Sequence, residues 1–240
     1  MKILSIGNSF SQDAQRYLHK LARHNGVNLR AVNLYIGGCS LQTHYRNMLD
    51  DRADYDYEFN GESTGLKVSI RQALTSDQWN YITLQQVSNL SAKSATYFPY
   101  IEELTAYIRK YCPHAKLLIH ETWAYAEGSE RLHTVGGFET ADAMLAAIRD
   151  SYEKAAQAIG AYATIPCGDA MRYAEAAGIT NIHRDTFHAG MGAGRYLLAL
   201  TWFKTLTGMD ISCDSFASFD APVTDAEREI VIRAVNSTVK

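Results

Sequence analysis

The sequence predicts a three-layer α/β/α sandwich around a five-stranded parallel sheet, and three observations predict it. Short apolar, β-branched runs recur along the chain, and each is apolar on both faces, as a strand covered by helices on either side must be. Between them lie longer segments in which apolar residues return at helical spacing. This alternation requires right-handed crossovers, which lay the strands parallel and put helices on both faces. No internal repeat, low-complexity tract or Pro-rich linker interrupts the pattern, so residues 1–240 read as a single domain.

The expected strands are Lys2–Ile6, Leu29–Leu34, Tyr81–Leu84, Lys116–His120 and the weaker Ala161–Ile165. The first expected helix, Gln12–His24, carries Ala14, Tyr17, Leu18 and Leu21 on one face. Tyr97–Lys110 repeats Ile101, Leu104 and Ile108, and Phe138–Ile159 aligns Met144, Leu145, Ile148, Ala155 and Ile159. Gly190–Leu206 is apolar nearly all round, the mark of a buried helix, and Asp225–Val235 closes the chain. One segment departs from the rhythm. Arg52–Ser63 alternates Tyr55, Tyr57 and Phe59 before Asn60-Gly61, which reads as a hairpin or a flat surface loop that could overhang a site.

Composition bounds the function. Hydrophobic residues make up 47% and charged residues 20%, the balance of an ordinary globular protein. A net charge of −3 and the lack of any basic block give a nucleic-acid partner no electrostatic support. Cys39, Cys112, Cys167 and Cys213 are scattered, without a C-x-x-C pair, so free thiols in a reducing compartment are expected. The opening M-K-I-L-S-I-G is too short an apolar run for a signal peptide, and no stretch reaches the roughly 18 apolar residues of a membrane span. A cytoplasmic protein is the expectation.

Two motifs carry chemistry. Gly7-Asn8-Ser9-Phe10-Ser11 follows the first strand and opens a helix, and ligands of doubly wound sheets bind beyond the carboxyl ends of the strands. A serine there can present its hydroxyl beside helix N–H groups that favour developing negative charge. Turn and N-cap duty for Ser9 and Ser11 is the plain alternative. Near the other end stands Arg184-Asp185-Thr186-Phe187-His188. An Asp three residues before a His can hold the imidazole tautomer while the other ring nitrogen faces a serine. Helix capping by Asp185 is the alternative here.

Together these motifs resemble the blocks of the SGNH (GDSL-like) hydrolase superfamily, spread over nearly the whole chain. The resemblance implies a flavodoxin-like α/β/α fold and a serine esterase. It makes Ser9 the nucleophile, His188 the base and Asp185 its charge partner. The second block, N-x-x-x-x-G, fits Asn33-Leu34-Tyr35-Ile36-Gly37-Gly38 and points to the Gly38 N–H as an oxyanion donor beside that of Ser9. The first block departs mildly, with Asn8 where the family has Asp. The third departs further. The usual G-x-N-D is replaced by Leu84-Gln85-Gln86-Val87-Ser88-Asn89, closer to the Q-G-x-S-N of sialate- and xylan-type acetylesterases. The third oxyanion donor is therefore assigned to Gln86 or Gln85, with Ser88 or Asn89 as substitutes. The G-x-S-x-G elbow of α/β-hydrolases is absent.

The resemblance implies attack of Ser9 on an ester carbonyl, short acyl or acetyl groups on a carbohydrate-like small molecule as substrate, and activity that falls on acidification. An acyltransferase with the same triad, or a flavodoxin-like binding module without turnover, are the alternatives. Trp123 and Tyr125, in H-E-T-W-A-Y, and more weakly Tyr35, are candidates to stack on a sugar or simply to pack. His120 and Glu121 share that strand end. No metal is expected, because His183, Asp185 and His188 have no further ligand cluster. No cofactor is expected either: Gly190, Gly192 and Gly194 do not follow the first strand and suggest close helix packing.

Overall fold

A computed structural model describes all residues from Met1 to Lys240. In chain order the elements are β1 (Lys2–Gly7), α1 (Ser9–Gln15), α2 (Leu18–His24), β2 (Arg30–Tyr35), α3 (Leu41–Leu49), β3 (Tyr55–Phe59), β4 (Glu62–Val68) and α4 (Ile70–Thr75). There follow β5 (Tyr81–Leu84), α5 (Tyr100–Tyr111), β6 (Lys116–His120), α6 (Ala141–Ile159), β7 (Ala163–Ile165), α7 (Cys167–Ala176), α8 (Ala193–Thr207) and α9 (Asp225–Thr238).

The five expected strands are present and mutually parallel, but the sheet has seven strands and is mixed, in the order β4-β3-β2-β1-β5-β6-β7. The correction comes from Arg52–Ser63. Its alternating aromatics form β3, which pairs antiparallel to β2, and β4 continues the hairpin. Asn60 (φ 54°) and Gly61 (φ 82°) both take left-handed backbone at the turn, the conformation an N-G hairpin requires. The hairpin widens the sheet and contributes no residue to the pocket described below.

The expected helix Gln12–His24 is two helices, broken at Arg16–Tyr17. Neither residue is a helix breaker, and the hairpin turn packs directly against the interruption. A Cβ on Gly61 would lie 2.6 Å from the Arg16 carbonyl, and the Arg16 guanidinium donates to the Gly61 carbonyl at 3.0 Å. Helices α3, α4 and α7 were not anticipated. Two of them carry serine N-caps, Ser40 accepting from Thr43 N–H and Ser69 from Gln72 N–H.

Strand alternation divides the core. Ile3 faces a layer built from α1, α2, α7, α8 and α9, while Leu4 and Ile6 face α3, α4, α5 and α6. Helix α8 is buried on every side, as its sequence predicts, with Leu197, Leu198, Leu200, Trp202 and Phe203 wholly enclosed. Truncating one such side chain costs about 2–5 kcal/mol. A Cβ on Gly194 would stand 2.5 Å from the Ile182 carbonyl, so this helix lies directly against the loop that follows α7. No helix is long and apolar enough to cross a membrane. The chain leaves β1 for β2 on one side and later enters β5 on the other, so order reverses between β1 and β5, where a crevice opens at the carboxyl ends.

Candidate active site

The turn after β1 is held by its own side chains. Asn8 caps α1, its Oδ1 accepting from the Phe10 N–H at 3.0 Å and from Gln85 Nε2 at 2.7 Å. Its Nδ2 donates to the Cys39 carbonyl at 3.0 Å, tying down the loop that carries Gly38. An Asp at this position has no hydrogen to give that carbonyl, which accounts for the amide. Ser11 accepts from the Asn8 N–H at 3.1 Å and contacts Asn33 Oδ1 at 2.8 Å, and Asn33 in turn donates to Glu58 at 2.8 Å. Gly7 is required by this arrangement, because a Cβ there would sit 2.1 Å from Ser11 Oγ. Ser11 is thus the capping serine, and Ser9 is left with its hydroxyl free to face the crevice.

Ser9 Oγ lies 2.9 Å from His188 Nε2, although the two residues are 179 positions apart. His188 Nδ1 donates to Asp185 Oδ2 at 2.8 Å, which fixes the tautomer and leaves Nε2 as acceptor for the Ser9 hydroxyl. Asp185 Oδ1 also accepts the backbone N–H groups of Phe187 (3.0 Å) and His188 (2.7 Å). Partial burial works to raise the Asp185 carboxyl, but these donations from His188 and Phe187 outweigh it and hold the group down at about 2. Asp185 is therefore charged at every ordinary pH.

A buried carboxylate joins the two segments. Asp13, one turn beyond Ser9 on α1 and fully enclosed, receives both oxygens' worth of contact from Arg184 Nη1 (2.8 Å each) and a further donation from Arg195 Nε (2.9 Å). It also accepts the Ala189 N–H at 3.2 Å, and Arg184 donates to the Ala189 carbonyl at 2.6 Å. Arg195 continues to Asp220, which also binds Arg16. The residues flanking Asp185 and His188 are thus bolted to the helix that carries Ser9. Removing one partner from such a buried ionic group costs about 3–5 kcal/mol, because the others stay buried and uncompensated. Asp13, Arg184 and Arg195 were not singled out from sequence. The available signal was an acidic residue on the otherwise core-facing side of the Ser9 helix.

The crevice has a volume of about 390 Å³ and is lined by Ser9, Phe10, Tyr35, Gly37, Gly38, Val87, Ser88, Asn89, Tyr125, Arg131, Val135, Phe187 and His188, with Asn8 at its base. Gly38 has φ +64°, a backbone that a side chain would strain. The N–H groups of Ser9 and Gly38 make no hydrogen bond within the protein. Gln85 and Gln86 are not brought to the crevice. Gln85 is spent between Asn8 and His120 Nδ1 (2.8 Å). Gln86 accepts from the Leu41 and Val87 N–H groups and donates to the Thr96 carbonyl, fully enclosed. Their long arms stitch the strand end to neighbouring loops, and Ser88 and Asn89 reach the crevice instead. Ser88 Oγ meets Tyr125 Oη at 3.2 Å, whereas the exposed Asn89 amide has no partner.

Tyr35 and Tyr125 line the crevice; Trp123 does not. It is enclosed, stacked on Phe10 at 4.2 Å, and donates to the Phe187 carbonyl at 2.7 Å, so it supports the histidine loop from beneath. His120 and Glu121 are buried too. Burial lowers His120 to about 3, and burial with neighbouring Asp169 raises Glu121 to about 8, leaving both neutral near pH 7. His183 turns toward Glu175, 4.0 Å away. A larger cavity of about 830 Å³ lies at the opposite end of the sheet, against Lys2, Tyr81 and Lys116 at the starts of their strands, away from the Ser9–His188 contact.

Residues 2–234 match the domain of unknown function DUF4886. The crystal structure of a DUF4886 family protein from Bacteroides uniformis is 32% identical, with 99% of this chain and 93% of that chain aligned at a TM-score of 0.92. A proposed SGNH hydrolase from Slackia heliotrinireducens is 25% identical over 86% of this chain and 98% of its own, with a TM-score of 0.63. An acetyl-xylooligosaccharide esterase from Geobacillus shares the fold at 12% identity and a TM-score of 0.51, over 92% and 97% of the two chains. No curated protein matches. The chain belongs to the DUF4886 family, and its structural neighbours are SGNH and GDSL-like hydrolases.

Proposed function

We propose that the protein is a serine esterase that uses Ser9 as nucleophile, His188 as general base and then acid, and Asp185 as the charge that holds and stabilises the imidazolium. The observation that carries this reading is the continuous chain from Ser9 Oγ through both His188 nitrogens to Asp185, at 2.9 and 2.8 Å. In the proposed reaction His188 Nε2 takes the Ser9 proton as Oγ attacks an ester carbonyl. The N–H groups of Ser9 and Gly38 receive the developing oxyanion, with the unpartnered Asn89 amide as the third donor in place of either glutamine. Each such donor is worth about 3 kcal/mol at the transition state. His188 then protonates the leaving alcohol, and water, activated by the same base, releases the acyl group from Ser9.

The crevice suits a small ester, and its half-buried Tyr35 and Phe187 suit the faces of a sugar ring, while the enclosed Tyr125 packs behind them. The likeness to an acetyl-xylooligosaccharide esterase supports a short acyl group on a carbohydrate. Four unpaired cysteines, three of them buried, support work in a reducing compartment such as the cytoplasm. The test is hydrolysis of p-nitrophenyl acetate. The wild type is expected to turn it over, and Ser9→Ala to lose at least a thousand-fold in kcat, roughly, with an unchanged melting temperature. Full activity in that variant would overturn the assignment. Release of free acid rather than transfer to an added alcohol distinguishes the hydrolase from an acyltransferase.

A further inference from the structure

We infer that the crevice contains a subsite for an anionic group on the ester, most suitably a carboxylate, and that Arg131 is the residue that reads it. The inference deepens the esterase reading and rests on it. Arg131 is the single lining residue with a fixed charge, and no Asp or Glu lines the crevice with it. Arg16, Arg172, Arg184 and Arg195 all spend their guanidinium groups on carboxylates, whereas Arg131 makes neither an ion pair nor a hydrogen bond within the protein.

Its position is nevertheless built. The guanidinium carbon stands 4.0 Å from the centre of the Phe187 ring and 5.6 Å from that of Tyr125. A cation over aromatic faces is held by the ring quadrupoles, which leaves the N–H groups around its edge unspent. A planar guanidinium donates along that edge in a fork that matches the two oxygens of a carboxylate. Phe187 itself packs on the His188 ring, with ring centres 3.8 Å apart, so an anion on Arg131 would sit within one small molecule's length of Ser9 Oγ. Val135 and Asn89, both uncharged, are among the other residues that line the crevice. An acidic ester therefore gains a charge-assisted contact that a neutral one of the same shape lacks.

The experiment compares matched pairs. One pair carries the anion on the acyl part: p-nitrophenyl hydrogen glutarate against p-nitrophenyl butyrate. The other carries it on the alcohol part: mono-O-acetylated methyl glucuronoside against the acetylated methyl glucoside. The ratio of kcat/KM, acidic over neutral, should exceed ten in at least one pair. It should fall toward one in Arg131→Met and keep an intermediate value in Arg131→Lys, which retains charge but loses the fork. Ratios at or below one in both pairs, or a ratio that Arg131→Met leaves in place, would overturn the inference. A measurement independent of turnover is calorimetric binding to the Ser9→Ala protein. Methyl glucuronoside or glutarate should bind at least tenfold more tightly than methyl glucoside or butyramide respectively, and Arg131→Met in that background should erase the difference. Equal binding sinks the subsite. A preserved preference in binding, with no ester hydrolysed by the wild type, counts against the esterase reading alone.

Discussion

The turn that carries Ser9 and the loop that carries His188 meet at 2.9 Å, yet they are held by different means. The Ser9 turn is secured locally and neutrally. Asn8, Ser11, Asn33 and Gln85 exchange hydrogen bonds within a few ångströms of the strand end, all of them buried. The His188 loop is more exposed, and its anchorage is ionic: Arg184 reaches back to Asp13, and Arg195 joins from α8. The difference suits the two tasks. In the proposed roles, a nucleophile at a strand end inherits its position from the sheet, whereas a base delivered from a distant loop needs a strong tether to arrive in register.

This contrast can be broken at either side. The largest effect is expected for Asp185→Asn, which leaves His188 in place but removes the charge opposite its ring; kcat should fall roughly a hundred- to ten-thousand-fold. Its pH signature has a definite sign. Because folding depresses the Asp185 carboxyl from its ordinary 3.8 to about 2, its contribution to stability is present above pH 4 and is lost as pH falls through 2. Melting curves of wild type and Asp185→Asn should therefore differ above pH 4 and converge toward pH 2. Curves that stay apart at pH 2 would contradict the assignment.

Asp13→Ala attacks the tether itself. Two guanidinium groups lose their common partner, and stability should drop by about 3–5 kcal/mol, with a melting temperature lower by on the order of 10 °C in a calorimetric scan. Activity should fall as well, measured below the new transition, since the loop is no longer fixed to α1. An unchanged melting temperature would show that the neutral contacts hold the loop unaided. The smallest effect is expected for Asn8→Asp, which deletes the donation to the Cys39 carbonyl and sets two acceptors face to face. A cost of about 1–3 kcal/mol, read from the urea midpoint, would match the amide's role, and a neutral result would mean that Cys39 finds another donor.

The same contrast marks what the sequence makes legible. Asp185 and His188 stand three residues apart, a spacing that encodes their contact, Ser9 and Gly38 are legible through the blocks they share with the SGNH superfamily, and the five parallel strands announce themselves through apolar runs. Asp13 does not, because it belongs to no such block and its partners are arginines more than 170 positions away. The glutamines after β5 misled for a related reason: an amide's chemistry suits an oxyanion, but only tertiary context shows that both amides are already engaged. Alternating Tyr55, Tyr57 and Phe59 foretell a hairpin, while its antiparallel docking on β2, and the seating of its turn against the break between α1 and α2, belong to packing.

That added hairpin also decides what the molecule shows to its surroundings. A doubly wound sheet ends in two open rows of peptide groups, each a template onto which a foreign strand could crystallise. At one border β7 is only three residues long. At the other, β4 is exposed along most of its length, yet it is punctuated by Glu62 and Lys67 and bent at Gly65, whose φ is +75°. By moving the border outward from the apolar β2 to this charged, kinked ribbon, the hairpin gives the sheet a selvedge, a finished margin that resists unravelling into aggregates.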